Sequence, residues 1–256
     1  MGRPKAWLPW FGRSMVEHVV DCLLPVVDDV VVVTSDEVSL PPLPARIVHD
    51  RDPGLGPLAG IRQGLEAARG DRAFVTSVDA PHLTKDHVRA LLDVGGAAAP
   101  FVDDHVQVLS AIYPCAAWKQ AEALLAEGVR RPLRLLESLG YEAVESARMR
   151  DPGAWEGFNT PGEYLEAVRR VEPDAVAHVE FLGRAARKID TQRVDVPVGT
   201  LGEVLARVSG TSFLMESNRV SKGYLVSIGG RELVRDLEIP IGPGEAVSVI
   251  DALAGG

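Results

Sequence analysis

The sequence predicts an α/β domain with a mostly parallel sheet, followed by a small α+β domain. Strand-like and helix-like patterns alternate from residue 14 to about residue 170, which is typical of a sheet with helices on both faces. The run VVVVT at 30–34 is continuously β-branched, as in a strand that is covered on both faces. Beyond residue 176 the strand-like segments alternate apolar and polar residues, as half-buried strands do. We therefore expect domains at 1–171 and 177–256.

The first domain is predicted from helix caps and strand-sized apolar runs. Ser14 with Glu17, and Thr160 with Glu163, have the spacing of capping boxes, and Thr84 is a further N-cap. The predicted helices cover residues 14–24, 56–70, 82–95, 116–128, 131–140 and 158–172. The predicted strands cover residues 30–34, 46–49, 73–78 and 106–113.

The second domain shows strands, one helix and then further strands. The segments 178–183 and 193–198 alternate in polarity, and 200–208 is an amphipathic helix with a cap at Thr200. Residues 224–234 predict a hairpin that turns at Gly229 and Gly230. A last strand at 243–250 leads into the tail, and this order of elements is typical of an α+β fold.

Composition excludes several classes of function. The 256 residues carry a formal net charge of −9, which argues against a general nucleic-acid binder. The apolar runs are too short to cross a bilayer. Cys22 and Cys115 form neither a metal-binding spacing nor a disulfide framework. We therefore expect a cytoplasmic protein with no nucleic-acid or membrane partner.

Three stretches are candidates for a phosphate or nucleotide site. Lys5 follows a glycine-containing turn and would bind a phosphate that came near; the alternative is a solvated surface lysine. Gly54 and Gly56 permit close approach of a ligand, and Pro57 begins a helix whose N-terminus favours anions. The alternative for this second stretch is an ordinary strand-to-helix turn.

The third stretch is TSVDAPHL, in which Asp79 follows an apolar strand. Open α/β sheets place ligands at the carboxyl ends of their strands, and a carboxylate there can hold Mg²⁺ against a nucleotide phosphate. The alternative is an aspartate that caps the next turn. The histidines, including His49, His82 and His87, are expected to be structural or surface residues.

These stretches together resemble the molybdenum cofactor guanylyltransferases, which are Rossmann-like (MobA-like) nucleotidyltransferases. The resemblance spans residues 1 to about 170 and depends on the order of its motifs. The matching motifs are MGRPK, AWLPWFGRSMVEHV, Asp50, PGLGPLAGI, VDAPHL, GVRRPLRLLESLG and FNTP.

The resemblance implies a role for each matching residue. Lys5 and Asp79 would be catalytic, with Lys5 and Gly2 at the triphosphate. Asp50 would contact the guanosine, and Asp79 would hold Mg²⁺, with Asn159 nearby as a second metal ligand or a substrate contact. The nucleoside pocket would be lined by Gly54, Gly56, Pro57 and Leu58. Some relatives carry an asparagine where this chain has Gly157.

The implied reaction transfers GMP from GTP to the terminal phosphate of molybdopterin and releases pyrophosphate. The family opens with a strand and a glycine-rich loop, of which this chain matches only the end at Met1–Lys5. We therefore expect that the first strand and the loop are missing and that the gene product starts upstream. The missing strand would pair beside the run at 30–34.

The chain ends in Gly255 and Gly256, and a Gly-Gly tail can thread a narrow channel. The alternative is an end without function. Residues 177–256 resemble the ubiquitin-like β-grasp sulfur carriers of molybdopterin and thiamin synthesis. The resemblance implies that the Gly256 carboxylate becomes a thiocarboxylate. The implied partners are an adenylating and sulfurating enzyme and the large subunit of molybdopterin synthase.

Three interpretations remain open at this point. The chain is a fused nucleotidyltransferase and sulfur carrier, a carrier with an inactive nucleotidyltransferase-like domain, or a relative of the cytidylyltransferases. Within the second domain, thiamin-type sulfur carriage also remains open.

Overall fold

The computed structural model describes residues 1–52, 54–145, 151–189 and 191–252. Contacts divide the chain into two units. Val16–Gly157 form the first, which we call the central unit. Met1–Met15 and Phe158–Gly256 form the second, the terminal unit. The sequence boundary between residues 171 and 177 stays a prediction.

Helices and strands occur in both units. The α-helices are α1 Met15–Leu23, α2 Pro57–Ala67, α3 Lys85–Leu92, α4 Trp118–Ala126, α5 Pro132–Leu139, α6 Pro161–Val171, α7 Gly183–Lys188 and α8 Leu201–Ala206. The strands up to residue 145 are β1 Pro9–Trp10, β2 Arg13–Ser14, β3 Val31–Thr34, β4 Arg46–His49, β5 Arg72–Thr76, β6 Ala98–Val102, β7 His105–Val106, β8 Ser110–Pro114 and β9 Glu142–Glu145. The later strands are β10 Val176–Phe181, β11 Arg193–Pro197, β12 Gly199–Thr200, β13 Met215–Glu216, β14 Arg219–Val220, β15 Tyr224–Ile228, β16 Glu232–Val234, β17 Pro240–Ile241 and β18 Ala246–Asp251. Short 3₁₀ turns lie at Lys5–Trp7, Cys115–Ala117, Pro152–Trp155 and Ser212–Leu214.

The sheets of the central unit are mixed, so the prediction of a mostly parallel sheet is wrong. β3 pairs with β4 and β6 with β9 in parallel. The pairs β5–β8, β6–β8 and β6–β7 are antiparallel.

The cause of the mixed pairing is a tight turn at Asp103 and Asp104. Both residues have positive φ, 46° and 63°, as a two-residue hairpin of type I′ requires. The chain reverses there, and after a further turn, in which the Ser110 amide donates to the Gln107 carbonyl at 3.0 Å, β8 continues antiparallel to β6. A parallel pair would need a long crossover between the strands. The predicted strand 106–113 is consequently divided between β7 and β8.

The valine run of β3 is less buried than a doubly covered strand. Val31, Val32 and Val33 are each only half-buried. An apolar cavity of about 980 Å³ is lined by residues of β3 and β5. Among the described residues β3 pairs only with β4 and β5 only with β8, so each strand keeps an unpaired edge. The expectation of an additional strand beside this run stays a prediction.

The terminal unit contains a five-stranded sheet in the order β11-β10-β18-β15-β16. β10 and β18 are parallel, and the other neighbours are antiparallel. The predicted hairpin is confirmed, with Gly229 and Gly230 at φ of 57° and 68°. Helix α8 begins in a capping box of Thr200 and Glu203, as predicted, and packs on the sheet in one apolar core. Sequence reasoning missed the short helix α7.

Two predicted helix caps of the earlier region are also confirmed, whereas the capping box of Ser14 and Glu17 stays a prediction. Thr84 accepts from the His87 amide at the start of α3, and Thr160 accepts from the Glu163 amide at the start of α6. No helix within the described parts of the chain combines the length and apolar character needed to cross a membrane.

Candidate functional site

Lys5 contacts the segment that precedes α6. Its Nζ donates to the Phe158 carbonyl at 2.6 Å and to Asn159 Oδ1 at 2.9 Å. The same Nζ lies 5.5 Å from the centre of the Phe158 ring, within the range of a cation–π contact. Lys5 and Asn159, two predicted site residues separated by 154 positions, are thus brought together.

The capping box of α6 fixes Asn159 next to Lys5. Glu163 Oε2 accepts from the Asn159 amide at 2.6 Å and from the Thr160 amide at 3.2 Å. These backbone N–H groups stabilise the ionised carboxylate, and they lower the pKa of Glu163, with the Asn159 amide contributing most. The sequence signal for this arrangement was the FNTPGE motif.

Gly2 has a structural reason to be glycine. Its φ is 70°, and a Cβ there would lie 2.9 Å from Ile239 Cγ1, closer than side-chain atoms approach. A larger residue would therefore displace either the segment before Lys5 or the segment that leads into β17. Its role at the triphosphate stays a prediction.

The loop between β4 and α2 carries the predicted nucleoside contacts. Asp50 Oδ1 accepts from the Asp52 amide at 3.0 Å, which forms a turn of the Asx type. Gly54 and Gly56 have φ of 93° and 83°, and a Cβ on either would meet no atom of the described residues within 4 Å. Glycine is thus required here by the backbone conformation, and open space lies in front of both residues.

The helix that follows this loop begins at Pro57, as predicted. The exposed Pro57 occupies a first-turn position, where its missing N–H costs nothing. Leu58 is fully buried in the core of the central unit. Its side chain therefore stabilises the packing of α2 against that core.

Arg62 is an organising residue that sequence reasoning missed. Its side chain is only 3% exposed, and Nη2 lies 2.5 Å from Asp52 Oδ2 in the loop. Its Nη1 lies 3.9 Å from Glu66 and its Nε lies 3.3 Å from Glu122. A charged residue on an amphipathic helix is ordinarily assigned to the exposed face. The only sequence signal for the burial of Arg62 was therefore the acidic residues that surround it.

Asp79 follows β5, as the sequence predicted, and is half-buried. Its Oδ1 accepts a short hydrogen bond from Ser77 Oγ. Gly157 lies against it: a Cβ at position 157 would be 3.1 Å from the Asp79 carbonyl oxygen and 3.3 Å from Oδ1. Because Gly157 has no side chain, the Asp79 carboxylate fits against it in this position.

The donor set around Asp79 suits a cation that is shared with a substrate. Among the residues that the structure describes, no group of three or more His, Cys, Asp or Glu could hold a metal ion by itself. Mg²⁺ is commonly held by one or two carboxylates together with substrate phosphates. One carboxylate with a neighbouring hydroxyl fits that mode of binding. The Oδ1 atom of Asn159, the other residue predicted to hold the metal, accepts a hydrogen bond from Lys5 Nζ.

Two of the histidines have structural or surface contacts, as expected. His87 completes the cap of α3, and its ring lies 5.2 Å from that of Trp155. His49 pairs with Asp36 at 2.8 Å on the surface. The predicted sulfur-carrier residues Gly255 and Gly256 lie outside the described residues.

Comparison with known proteins identifies the family. The family model of the MobA-like NTP transferase domain matches residues 1–143, which is more than half of the chain. A probable molybdenum cofactor guanylyltransferase of Mycobacterium ulcerans is 33% identical over 178 residues, covering 66% of this chain and 87% of that protein. One from Bacillus cereus is 28% identical over 180 residues, covering 66% and 89%.

Solved structures are similar in fold. Molybdopterin-guanine dinucleotide biosynthesis protein A of Archaeoglobus fulgidus has a TM-score of 0.56 at 22% identity, over 67% of this chain and 92% of that one. The 2-C-methyl-D-erythritol 4-phosphate cytidylyltransferase of Thermus thermophilus has a TM-score of 0.53 at 21% identity, over 64% and 91%. The chain therefore belongs to the MobA-like NTP transferase family and is an enzyme of the nucleotidyltransferase type.

Proposed function

We propose that this protein transfers GMP from GTP to molybdopterin. The observation that carries the proposal is the similarity to curated guanylyltransferases over two thirds of the chain. The chemistry of Lys5, Asp79 and the loop before α2, each taken within its own unit, supports it, because a lysine, a carboxylate and a helix N-terminus suit a nucleoside triphosphate.

The proposed reaction is an in-line displacement at the α-phosphorus of GTP. An oxygen of the terminal phosphate of molybdopterin forms the new P–O bond, and the bond to the β-phosphate breaks to release pyrophosphate. The nucleophile is already ionised, so the reaction depends on alignment and on neutralisation of charge. Lys5 would neutralise the phosphates, and Asp79 would hold the divalent cation. Mg²⁺, when bound, supplies further positive charge to the phosphates.

Substrate turnover tests this proposal. The full chain is incubated with Mg²⁺, molybdopterin and either GTP or CTP, and the dinucleotide and pyrophosphate are measured. We expect turnover with GTP, and loss of it in Lys5→Met and Asp79→Asn. Preference for CTP would favour the cytidylyltransferase interpretation. Absence of nucleotide binding would favour a carrier whose nucleotidyltransferase-like region is inactive.

We propose further that residues 177–256 of the terminal unit form a β-grasp sulfur carrier. Its strand order supports this, since antiparallel hairpins flank a central parallel pair and α8 packs on the sheet. The strand β18 leads towards the Gly-Gly end of the sequence. The proposed partners are an adenylating and sulfurating enzyme and the large subunit of molybdopterin synthase.

Mass spectrometry of the C-terminus tests the carrier proposal. The chain is incubated with a candidate activating enzyme, ATP and a sulfur donor. We expect the mass change for one oxygen replaced by sulfur at Gly256, and no change in a variant that lacks this residue. Sulfur transfer to the thiamin pathway instead of molybdopterin synthase would favour thiamin-type carriage.

A further inference from the structure

The residue two places before Lys5 forms a buried ion pair with the terminal sheet. Arg3 Nη1 lies 2.6 Å from Glu245 Oε1, and the two side chains are 8% and 7% exposed. The second oxygen of this carboxylate accepts from the Gly242 amide at 3.0 Å. Arg3 is therefore held by the loop 242–245, which connects β17 to β18.

The chain on the other side of Lys5 is fixed by the same loop and by α6. The Tyr164 hydroxyl donates to the Pro9 carbonyl. A Cβ on Gly242 would lie 3.1 Å from Pro9 Cβ, so the loop passes closely over Pro9. Contacts at Arg3 and Pro9 thus enclose the short turn that carries Lys5.

The turn itself is short, and the Lys5 side chain is also held by Phe158 and Asn159. The backbone forms a single 3₁₀ turn, in which the Trp7 amide donates to Pro4 and the Leu8 amide to Lys5, both at 3.1 Å. A 3₁₀ turn of this length is not stable by itself. The position of the Lys5 backbone therefore depends on the contacts made by its neighbours.

We propose that the Arg3–Glu245 pair positions Lys5 for the nucleotide, so that the loop 242–245 is a determinant of nucleotide affinity. This inference rests on the proposed function, in which Lys5 binds the triphosphate. Arg3 and Glu245 are positioning residues that act through the turn at Lys5–Trp7. Because coupling between sites is reciprocal, nucleotide binding in turn stabilises the contact between this turn and the loop.

The pair suits positioning better than it suits stability. Replacing both members of a buried ion pair is often neutral for stability. Its geometry nevertheless selects one arrangement, because Arg3 donates to one oxygen of the carboxylate and the Gly242 amide donates to the other. Glu245→Gln keeps the shape of the side chain but leaves Arg3 without its charged partner, which also lowers the stability of the fold; the effect on the nucleotide site is therefore measured on the folded variant.

The test measures the Kd of Mg·GTP for the full chain and for Glu245→Gln. We expect binding to weaken about tenfold, a usual size for coupling between sites. Arg3→Gln, which leaves a neutral partner at the same place, should weaken it equally if Glu245→Gln folds poorly. Glu180→Gln is the matched control, because it breaks the exposed Arg193–Glu180 pair at 2.8 Å in the same sheet and should bind GTP as the wild type does.

A double-mutant cycle with Lys5→Met separates positioning from a general loss of structure. If Glu245 acts through Lys5, Glu245→Gln weakens binding no further once Lys5 is replaced. Equal weakening in both backgrounds, or full affinity in Glu245→Gln, would overturn the inference and leave the proposed function intact. Unchanged binding in Lys5→Met, or no GTP binding by the wild type, would remove the role of Lys5 and the inference with it.

Hydrogen exchange provides a second measurement without nucleotide. In Glu245→Gln the amides of Trp7 and Leu8 should exchange faster, because the turn opens locally. The amides of β15 should be accelerated by a smaller factor, since that strand lies in the middle of the sheet. Equal acceleration at β15 would indicate global destabilisation and would contradict a positioning role.

Discussion

Replacing Arg62 by methionine removes the charge that connects α2 to the loop before it. Methionine preserves much of the aliphatic volume, so the change chiefly deletes the guanidinium group. The side chain is 3% exposed, but its partner Asp52 is 47% exposed and Glu122 is 58% exposed. The carboxylates can therefore regain water when the arginine is lost.

The magnitude lies between two limits. Breaking a fully buried pair costs ~3–5 kcal/mol, and an exposed pair contributes ~0–1 kcal/mol. Because Arg62 is buried but Asp52 and Glu122 are partly hydrated, we expect a loss of ~2 kcal/mol in the free energy of unfolding. For a chain of this size that loss corresponds to about 4–8 °C in Tm.

Thermal denaturation followed by circular dichroism measures this loss. Glu122→Gln is the control, since it alters one hydrated carboxylate 3.3 Å from Nε and should change Tm by less than about 3 °C. GTP affinity should also fall in Arg62→Met, because the loop that carries Asp52, Gly54 and Gly56 loses its ion pair with α2. A Tm equal to that of the wild type would refute the view that Arg62 organises this loop.

Three further predictions concern single residues. Gly157→Ala should lower kcat for nucleotidyl transfer, because its Cβ would press on Asp79 at 3.1–3.3 Å; steady-state kinetics with unchanged kcat would contradict this. Gly60→Ala should stabilise α2 by ~0.5–1 kcal/mol in urea denaturation, because the new Cβ meets no atom within 4 Å, and destabilisation would count against it. Cys22, whose pKa burial raises to about 11, should react slowly with a thiol reagent at pH 8 until urea unfolds the chain; equal rates would exclude that protection.

Local signals predicted the local structure well. The caps at Thr160 and Thr200 and the Gly229–Gly230 turn depend on residues a few positions apart, and the structure confirms all three. The strand directions failed because they depend on the turn at Asp103 and Asp104. A pair of aspartates in a hairpin of type I′ resembles an ordinary polar loop in the sequence.

Site residues could be predicted only where they belonged to a motif of the family that the sequence resembles. The contact between Lys5 and Asn159 joins residues 154 positions apart, and no local pattern connects them. Only the resemblance to a family assigned both residues to one site. Arg62 lay outside those motifs, and its burial depends on carboxylates from the loop and from α4. Periodicity assigns such a residue to the solvent, because it counts charge and ignores partners distant in the sequence.

The Arg3–Glu245 pair extends this argument to the organisation of the chain. Its members are 242 positions apart, and the sequence placed them in different domains with different functions. The structure places the turn that carries Lys5 in the same unit as the terminal sheet. A substitution in the loop 242–245 should therefore affect the region expected to bind phosphate, although every motif for that site lies before residue 162. Truncation before β10 would likewise remove the partner of Arg3, and should weaken GTP binding even if the rest of the chain folds.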